Sequence, residues 1–197
     1  MVVSAPSGTG KTSLCRALLS RHPELRFSVS WTTRPPRPGE REGRDYCFTS
    51  EADFRRRIEA GEFVEWVENY GYLYGTSYRT VNAFLEQGCD LLLDVEPRGA
   101  RAIKARFPEG VFVFLLPPSI EALKRRLAHR GESPEAMETR LAKAKDEIRE
   151  AIWYDYLIVN DRIEQAEAKL RSVYVAETCR RERFRNRMDS DLQSLIG

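Results

Sequence analysis

The chain opens with a short apolar segment that runs through a glycine-rich turn directly into a helical pattern, an arrangement that leaves few folds open. Val2-Val3-Ser4 leads into Ala5-Pro6-Ser7-Gly8-Thr9-Gly10-Lys11-Thr12, and Leu14 and Leu18 then recur at helical spacing. The turn fits G-x-x-x-x-G-K-[ST] with Ala5 in place of the first glycine. Gly8 and Gly10 allow backbone N–H groups to turn inward around phosphate oxygens. Lys11 is placed to reach the β- and γ-phosphates, and the Thr12 hydroxyl to ligate Mg²⁺. The following helix N-terminus adds a field that favours anions. Residues 5–12 therefore read as the cradle of a nucleoside triphosphate, with Ala5 tolerated as a small residue at negative φ.

The rest of the chain narrows the class. Apolar runs at Leu91–Leu93, Val111–Leu116 and Tyr156–Val159 alternate with helical stripes. The stripes are Ile120, Leu123 and Leu127; Met137, Leu141, Ala144 and Ile148; and Ile163, Ala166, Leu170 and Val173. The expected fold is α/β, a three-layer sandwich whose parallel central sheet has strands apolar on both faces and helices on each side. Two stretches interrupt the alternation. Residues 32–80 begin with a proline-rich loop and continue as a small mixed sheet with one helix capped near Ser50. Residues 128–140 are rich in Arg and Glu around Gly131 and a helix start at Ser133-Pro134. Such excursions are where substrate-handling pieces sit.

Bulk properties exclude several classes. A net charge of +2 is too small for general affinity for nucleic acid or membrane. The scattered cysteines Cys15, Cys47, Cys89 and Cys179 and the two histidines show no metal-ligand spacing, so reduced thiols and no zinc site are expected. No apolar stretch approaches the ~20 residues of a membrane span. The N-terminus enters the phosphate loop with no room for a signal peptide, which predicts a cytoplasmic location, and its short first strand is what a trimmed start would give. A GTPase would carry Asn-Lys-x-Asp, which is absent, and 197 residues are few for a motor that borrows an arginine from a neighbour. A nucleotide kinase fits best.

The acceptor side rests on residues 32–80. Arg34 and Arg37, three apart in Thr33-Arg34-Pro35-Pro36-Arg37-Pro38-Gly39, can grip a dianionic phosphate with forked donors. Taken alone, the same loop also reads as a solvated basic turn. Asp94 ends an apolar strand, as an acid near Mg²⁺ would, or as an ordinary strand-end aspartate.

Taken together, Val29-Ser30-Trp31-Thr32-Thr33-Arg34-Pro35-Pro36-Arg37-Pro38-Gly39-Glu40 and Gly43-Arg44-Asp45-Tyr46 resemble the GMP-binding signature of bacterial-type guanylate kinases. Phe63–Trp66, Tyr72–Thr76, Leu93–Glu96, Leu116–Ser119 and Ile158–Asp161 follow the family pattern in order over nearly the whole chain. The resemblance implies Mg²⁺ with ATP as co-substrate, GMP as acceptor and no prosthetic group. It implies Ser30, Arg34, Arg37, Tyr46 and Tyr74 on the GMP phosphate, Glu65, Thr76 and Glu96 on the guanine side, and Asp94 as a GMP-binding residue that also serves Mg²⁺ through its waters. Guanine presents donors at N1 and N2, so a carboxylate at Glu65 accepts from it and repels the N1 acceptor of adenine. Where the family commonly has a second aspartate and a glutamine, this chain has Glu96-Pro97-Arg98, which puts the Glu96 contact in doubt.

The resemblance further implies Lys11, Arg34, Arg130 and Arg140 as catalytic groups, the last two on a lid, and Asn160 near adenine. Arg125 and Arg126 read as a solvated helix face. The basic segment Arg180–Arg187 reads as an exposed helix end. The expected division is a core of 1–31, 81–124 and 145–197, a GMP-binding subdomain 32–80 and a lid 125–144, within one guanylate kinase-like unit 1–180. ATP and GMP are the expected partners, without nucleic acid or membrane, and monomer and homodimer both remain open. Two other readings share the scaffold. A ribose-bisphosphate kinase would have no base for Glu65 and Thr76 to read, and a phosphopeptide-binding module would not need an intact Gly10-Lys11-Thr12 with lid arginines.

Overall fold

The structure is a computed structural model that describes residues 1–128 and 134–184. Its central sheet has the strands β1 (Val2–Ser4), β2 (Arg26–Phe27), β7 (Leu91–Asp94), β8 (Phe112–Leu116) and β9 (Tyr156–Val159). All pairings are parallel, in the order β2-β7-β1-β8-β9. Successive side chains on a strand point to opposite faces, and the core divides accordingly. Val3, Leu92, Val113 and Leu115 pack with Leu14, Leu18 and Leu170 on one face. Val2, Leu91, Leu93, Phe112 and Phe114 pack with Val81, Ile103 and Tyr154 on the other. The first face is covered by α1 (Lys11–Arg21) and α7 (Ile163–Thr178), the second by α3 (Tyr78–Glu86) and α4 (Pro97–Arg106). This is the expected three-layer sandwich.

Two expectations about burial fail at the sheet edge. β9 is covered on one side only: Leu157 and Val159 are 54% and 45% exposed, because β9 is the last strand and no helix of the described residues lies over that face. Ile163, expected in the core, is 44% exposed at the first position of α7.

Residues 31–77 form a second sheet, β4-β3-β6-β5, from β3 (Trp31–Thr32), β4 (Cys47–Phe48), β5 (Phe63–Asn69) and β6 (Tyr72–Ser77). Helix α2 (Glu51–Glu59) is capped by the Ser50 hydroxyl, which accepts from the Asp53 N–H, as anticipated. Phe54 stacks on Phe63 with ring centroids 4.5 Å apart and gives this sheet its own small core with Leu73. The β5–β6 hairpin turns on Tyr70 and Gly71, both left-handed at φ 51° and 76°, the twist that suits a two-residue hairpin. On the opposite side of the cleft, α5 (Ile120–Ala128) packs Leu123 and Leu127 against Ala144 of α6 (Pro134–Arg149). The anticipated boundaries at 125 and 144 fall inside these two helices. The short α8 (Arg181–Phe184) closes the described chain, with Arg181 and Arg183 exposed and Arg183 paired with Asp90; Arg185–Arg187 lie outside it. No helix of the described residues is long and apolar enough to cross a membrane.

Candidate active site

The phosphate loop is shaped by its two glycines. Gly8 and Gly10 stand at φ 88° and 97°, where a side chain is strained, and neither has room for one. A Cβ on Gly8 would lie 2.9 Å from Leu127 Cδ2 of α5, and one on Gly10 2.7 Å from Asn160 Nδ2. Ala5 is buried and not at positive φ, which explains why a glycine is dispensable there. The Thr9 N–H donates to the Pro6 carbonyl at 3.1 Å and closes the turn. Ser7 faces the cleft and its hydroxyl accepts from Arg140.

Lys11 and Thr12 emerge from this loop beside Asp94. Lys11 Nζ lies 2.5 Å from Asp94 Oδ1 and donates to the Val95 carbonyl at 2.9 Å. Burial works against the Lys11 charge, but Asp94 more than offsets it and the net shift is upward, so the ammonium stays protonated. The Thr12 hydroxyl donates to Asp94 Oδ2 at 3.4 Å. A hydroxyl and a carboxylate at the mouth of a phosphate loop form a hard-oxygen set that fits Mg²⁺.

Two residues brace the loop from behind. Asn160 does not line the cleft; it is buried below the loop and donates from Nδ2 to the Thr9 carbonyl at 2.6 Å. Its Oδ1 has no partner among the described residues. Arg126 is not a solvated face residue. Its guanidinium donates to the carbonyls of Asn160 at 2.9 Å, Asp161 at 3.2 Å and Thr9 at 3.4 Å, joining α5 to the loop. The available signal was its position directly beside the buried Leu127; Arg125, one residue earlier, is exposed as expected.

On the acceptor side Arg34 is buried, with both Glu40 carboxylate oxygens at 2.9 Å from Nη2 and the Pro35 carbonyl at 2.7 Å from Nη1. Glu40 also accepts from the Arg37 N–H at 2.8 Å, so one carboxylate shapes the loop that carries both arginines. Sequence reading gave Glu40 no role, although an acid six residues from Arg34 in a short loop is a usable signal. The Arg37 side chain is exposed at the cleft. The Arg34 guanidinium lies 5.3 Å from the Tyr46 ring centroid, and Tyr46 and Tyr74 meet edge to face at 6.0 Å. Ser30 lines the same wall.

Glu65 is buried on β5 at 7% exposure and accepts from the Thr76 hydroxyl at 2.6 Å. Thr76 is fully buried, so it orients Glu65 and does not itself line the cleft. Burial pushes the Glu65 carboxyl up to about 7, against the hydrogen bond from Thr76 that lowers it and with nearby Glu96 raising it further. Gly99 of α4 makes the room: a Cβ there would meet Glu65 Oε2 at 2.3 Å. Glu96 caps α4 and is held by Asn69, which donates to Oε1, and by Lys143, which donates to Oε2 at 2.9 Å. Neither Asn69 nor Lys143 stood out in the sequence.

Helix α6 contributes Arg140, whose Nη1 donates to the Ser7 hydroxyl at 3.0 Å and whose guanidinium lies 4.5 Å from the Tyr70 ring centroid. Arg130 lies outside the described residues. Lys11, Thr12, Ser30, Arg34, Arg37, Tyr46, Glu65, Tyr74, Asp94, Glu96 and Arg140 thus face one cleft of about 1160 Å³.

A phosphate loop on a parallel sheet, facing a small arginine- and tyrosine-lined sheet across one cleft, defines a P-loop phosphotransferase of the nucleoside monophosphate kinase class. Comparison with known proteins narrows this. Residues 1–177 match the family profile "Guanylate kinase". A guanylate kinase of Syntrophus aciditrophicus is 52% identical over 98% of this chain and 94% of its own length. That of Geobacter sulfurreducens is also 52% identical, over 91% and 89%. The crystal structure of guanylate kinase from Anaplasma phagocytophilum superposes with a TM-score of 0.80 at 32% identity, covering 97% of this chain and 93% of that one. The chain belongs to the guanylate kinase family, enzymes that transfer a phosphoryl group from ATP to GMP.

Proposed function

We propose that this chain carries out guanylate kinase chemistry, ATP and GMP to ADP and GDP, with each nucleotide held by one wall of the cleft. The observation that carries the acceptor assignment is Glu65. A buried carboxylate facing a phosphate-binding cleft has a purpose if donors arrive to meet it, and guanine supplies two where adenine supplies none at N1.

In this reading the N–H groups of residues 5–12 and the Lys11 ammonium cradle the ATP phosphates. Arg34 and Arg37, with the hydroxyls of Ser30, Tyr46 and Tyr74, hold the GMP phosphate and align its oxygen with the γ-phosphorus. Glu40 keeps Arg34 extended and charged until that phosphate takes its place. Thr76 orients Glu65, and Glu96 faces the same base. Arg140, with Arg130 as its expected partner, neutralises charge that develops on the migrating group and excludes water. Asn160 and Arg126 fix the back of the phosphate loop on the adenine side. Thr12 would hold Mg²⁺ directly and Asp94 through water, and the ion would supply charge neutralisation between the phosphates. We assign residues 32–80 as the GMP-binding part, 125–144 as the lid and the remainder as core, in a protein that works in the cytoplasm.

An ADP-release assay over GMP, AMP, UMP, CMP and ribose 1,5-bisphosphate tests the assignment. GMP is expected to lead the other nucleotides by orders of magnitude in kcat/KM, because a site built to hydrogen-bond one base rejects those that leave it unpaired. Comparable turnover of AMP, or preference for the sugar phosphate, would overturn it.

A further inference from the structure

We infer that Lys143 is a positioning residue for the acceptor base: together with Asn69 it fixes Glu96 in the cleft, and thereby makes helix α6 part of the guanine site. This rests on the functional reading above and adds a residue that the reading does not contain.

Three separate pieces of the fold meet on one carboxylate. Glu96 follows β7 in the core, Asn69 ends β5 in the second sheet, and Lys143 comes from the middle of α6. Lys143 Nζ donates to Glu96 Oε2 at 2.9 Å and to Asn69 Oδ1 at 2.5 Å. It lies 3.4 Å from Glu147 Oε1, one helical turn along. Asn69 returns its amide N–H to Glu96 Oε1. An ammonium has three donors and no acceptor, and a carboxamide has one face of each kind, so the ring of contacts closes with every group in its natural role. Both Glu96 oxygens are thereby tethered, and each retains accepting capacity toward the cleft.

An isolated surface ion pair would carry little weight, and three features set this one apart. The side chains are largely withdrawn from water, with Lys143, Glu96 and Glu147 at 32%, 28% and 12% exposure. Second, Glu96 stands at the N-cap of α4 with no capping bond from its side chain, so that long side chain needs an outside partner to hold one rotamer. Third, the neighbouring hairpin tip holds Tyr70, not glycine, at φ 51°, with its ring under two cations of α6. Arg140 lies 4.5 Å from the ring centroid and Lys143 5.0 Å. Since Arg140 also reaches Ser7 of the phosphate loop, α6 bridges the donor loop and the base-reading sheet.

The chemistry gives Lys143 two tasks. It orients Glu96 toward the donors of guanine, and it offsets the Glu96 charge, which raises the proton affinity of both Glu65 and Glu147. Its substitution therefore acts on GMP far more than on ATP, although α6 also carries a group for the phosphates.

The test compares wild type with Lys143→Met, Lys143→Arg and, as a control on the exposed side of α6, Lys145→Met. The readouts are both KM values, kcat, the GMP dissociation constant by calorimetry, and Tm. Lys143→Met is expected to raise the KM and Kd for GMP about tenfold, the usual weight of one hydrogen bond to a charged group. The KM for ATP should stay within about twofold, Lys143→Arg should recover most of the loss, and Lys145→Met should match wild type. In a Glu96→Gln background, Lys143→Met should add less than about twofold, because the charge it holds is gone. Wild-type GMP constants in Lys143→Met, an equal rise for both nucleotides, or effects of the two substitutions that simply multiply would each overturn the inference while leaving the function standing. A wild type that does not phosphorylate GMP would overturn both.

Discussion

Burying a carboxylate costs free energy, and a fold keeps such a group where its charge is later needed. Glu65 fits that description: it sits in the second sheet's wall with the Thr76 hydroxyl on one oxygen and the space over Gly99 left for the other. Glu65→Gln preserves the size and the bond from Thr76 but turns one acceptor into an NH₂ donor facing a guanine donor. A hydrogen bond to a charged partner is worth roughly 1.5–3 kcal/mol, so kcat/KM for GMP should fall about 10- to 150-fold. AMP should lose less, and the KM for ATP should hardly move. Equal loss with both acceptors would make Glu65 a structural group only. At this scale the sequence was informative where a residue belongs to a local pattern. Lys11, Thr12, Arg34, Arg37 and Glu65 all reach the cleft. Asn160 and Arg126 were harder, because their partners lie far along the chain. Asn160 braces Thr9 across 151 positions and Arg126 reaches Asn160 across 34, and no spacing rule encodes such pairs.

Among elements, α4 illustrates a conflict between local and distant demands. Gly99 is the third residue of this helix, where alanine would favour helix formation by roughly 0.5–1 kcal/mol. Yet a Cβ at Gly99 would fall 2.3 Å from Glu65 Oε2 and 2.9 Å from its Cδ, so the helix forgoes that stability to leave the carboxylate its place. Gly99→Ala should therefore leave Tm unchanged or slightly raised while the KM for GMP rises about tenfold or more, with ATP unaffected. A variant with unchanged GMP kinetics would show that Glu65 can shift without loss. The same glycine, with Pro97 before it, is one reason α4 was not legible from periodicity. Strong apolar runs gave β1, β7, β8 and β9, and long stripes gave α1, α5, α6 and α7. The two-residue β2 is too short to carry a pattern, and the exposed faces of Leu157 and Val159 depend on strand order, which an apolar run does not report. Ser50, whose capping role is purely local, was read correctly.

For the molecule as a whole, these buried acids link protonation, stability and substrate. Burial, the largest influence on each, raises the carboxyls of both Glu65 and Glu147 to about 7 from an ordinary value near 4.5. Between those two values the folded chain binds more protons than the unfolded one, so these groups favour the folded state fully below about pH 4.5 and lose that effect as pH rises through 7. GMP acts in the opposite sense. Its N1–H and N2–H₂ groups pair with ionised Glu65, so binding draws the carboxylate into its charged form and releases a proton at pH values below 7. The dianionic phosphate, with a second pKa near 6, adds in the same direction. The gain in Tm on adding saturating GMP, which follows the logarithm of concentration over Kd, should therefore be larger at pH 8 than at pH 6. The groups that set the midpoint are Thr76 and Lys11, which favour the anion, and Glu96, which opposes it. Thermal melts with and without GMP, from pH 5.5 to 8.5, read this directly. In Glu65→Gln the pH dependence of the GMP-induced shift should flatten to what the phosphate alone contributes. A wild-type shift with no more pH dependence than that of Glu65→Gln would mean that Glu65 is already ionised before GMP binds, and that guanine meets a charge the fold had stabilised beforehand.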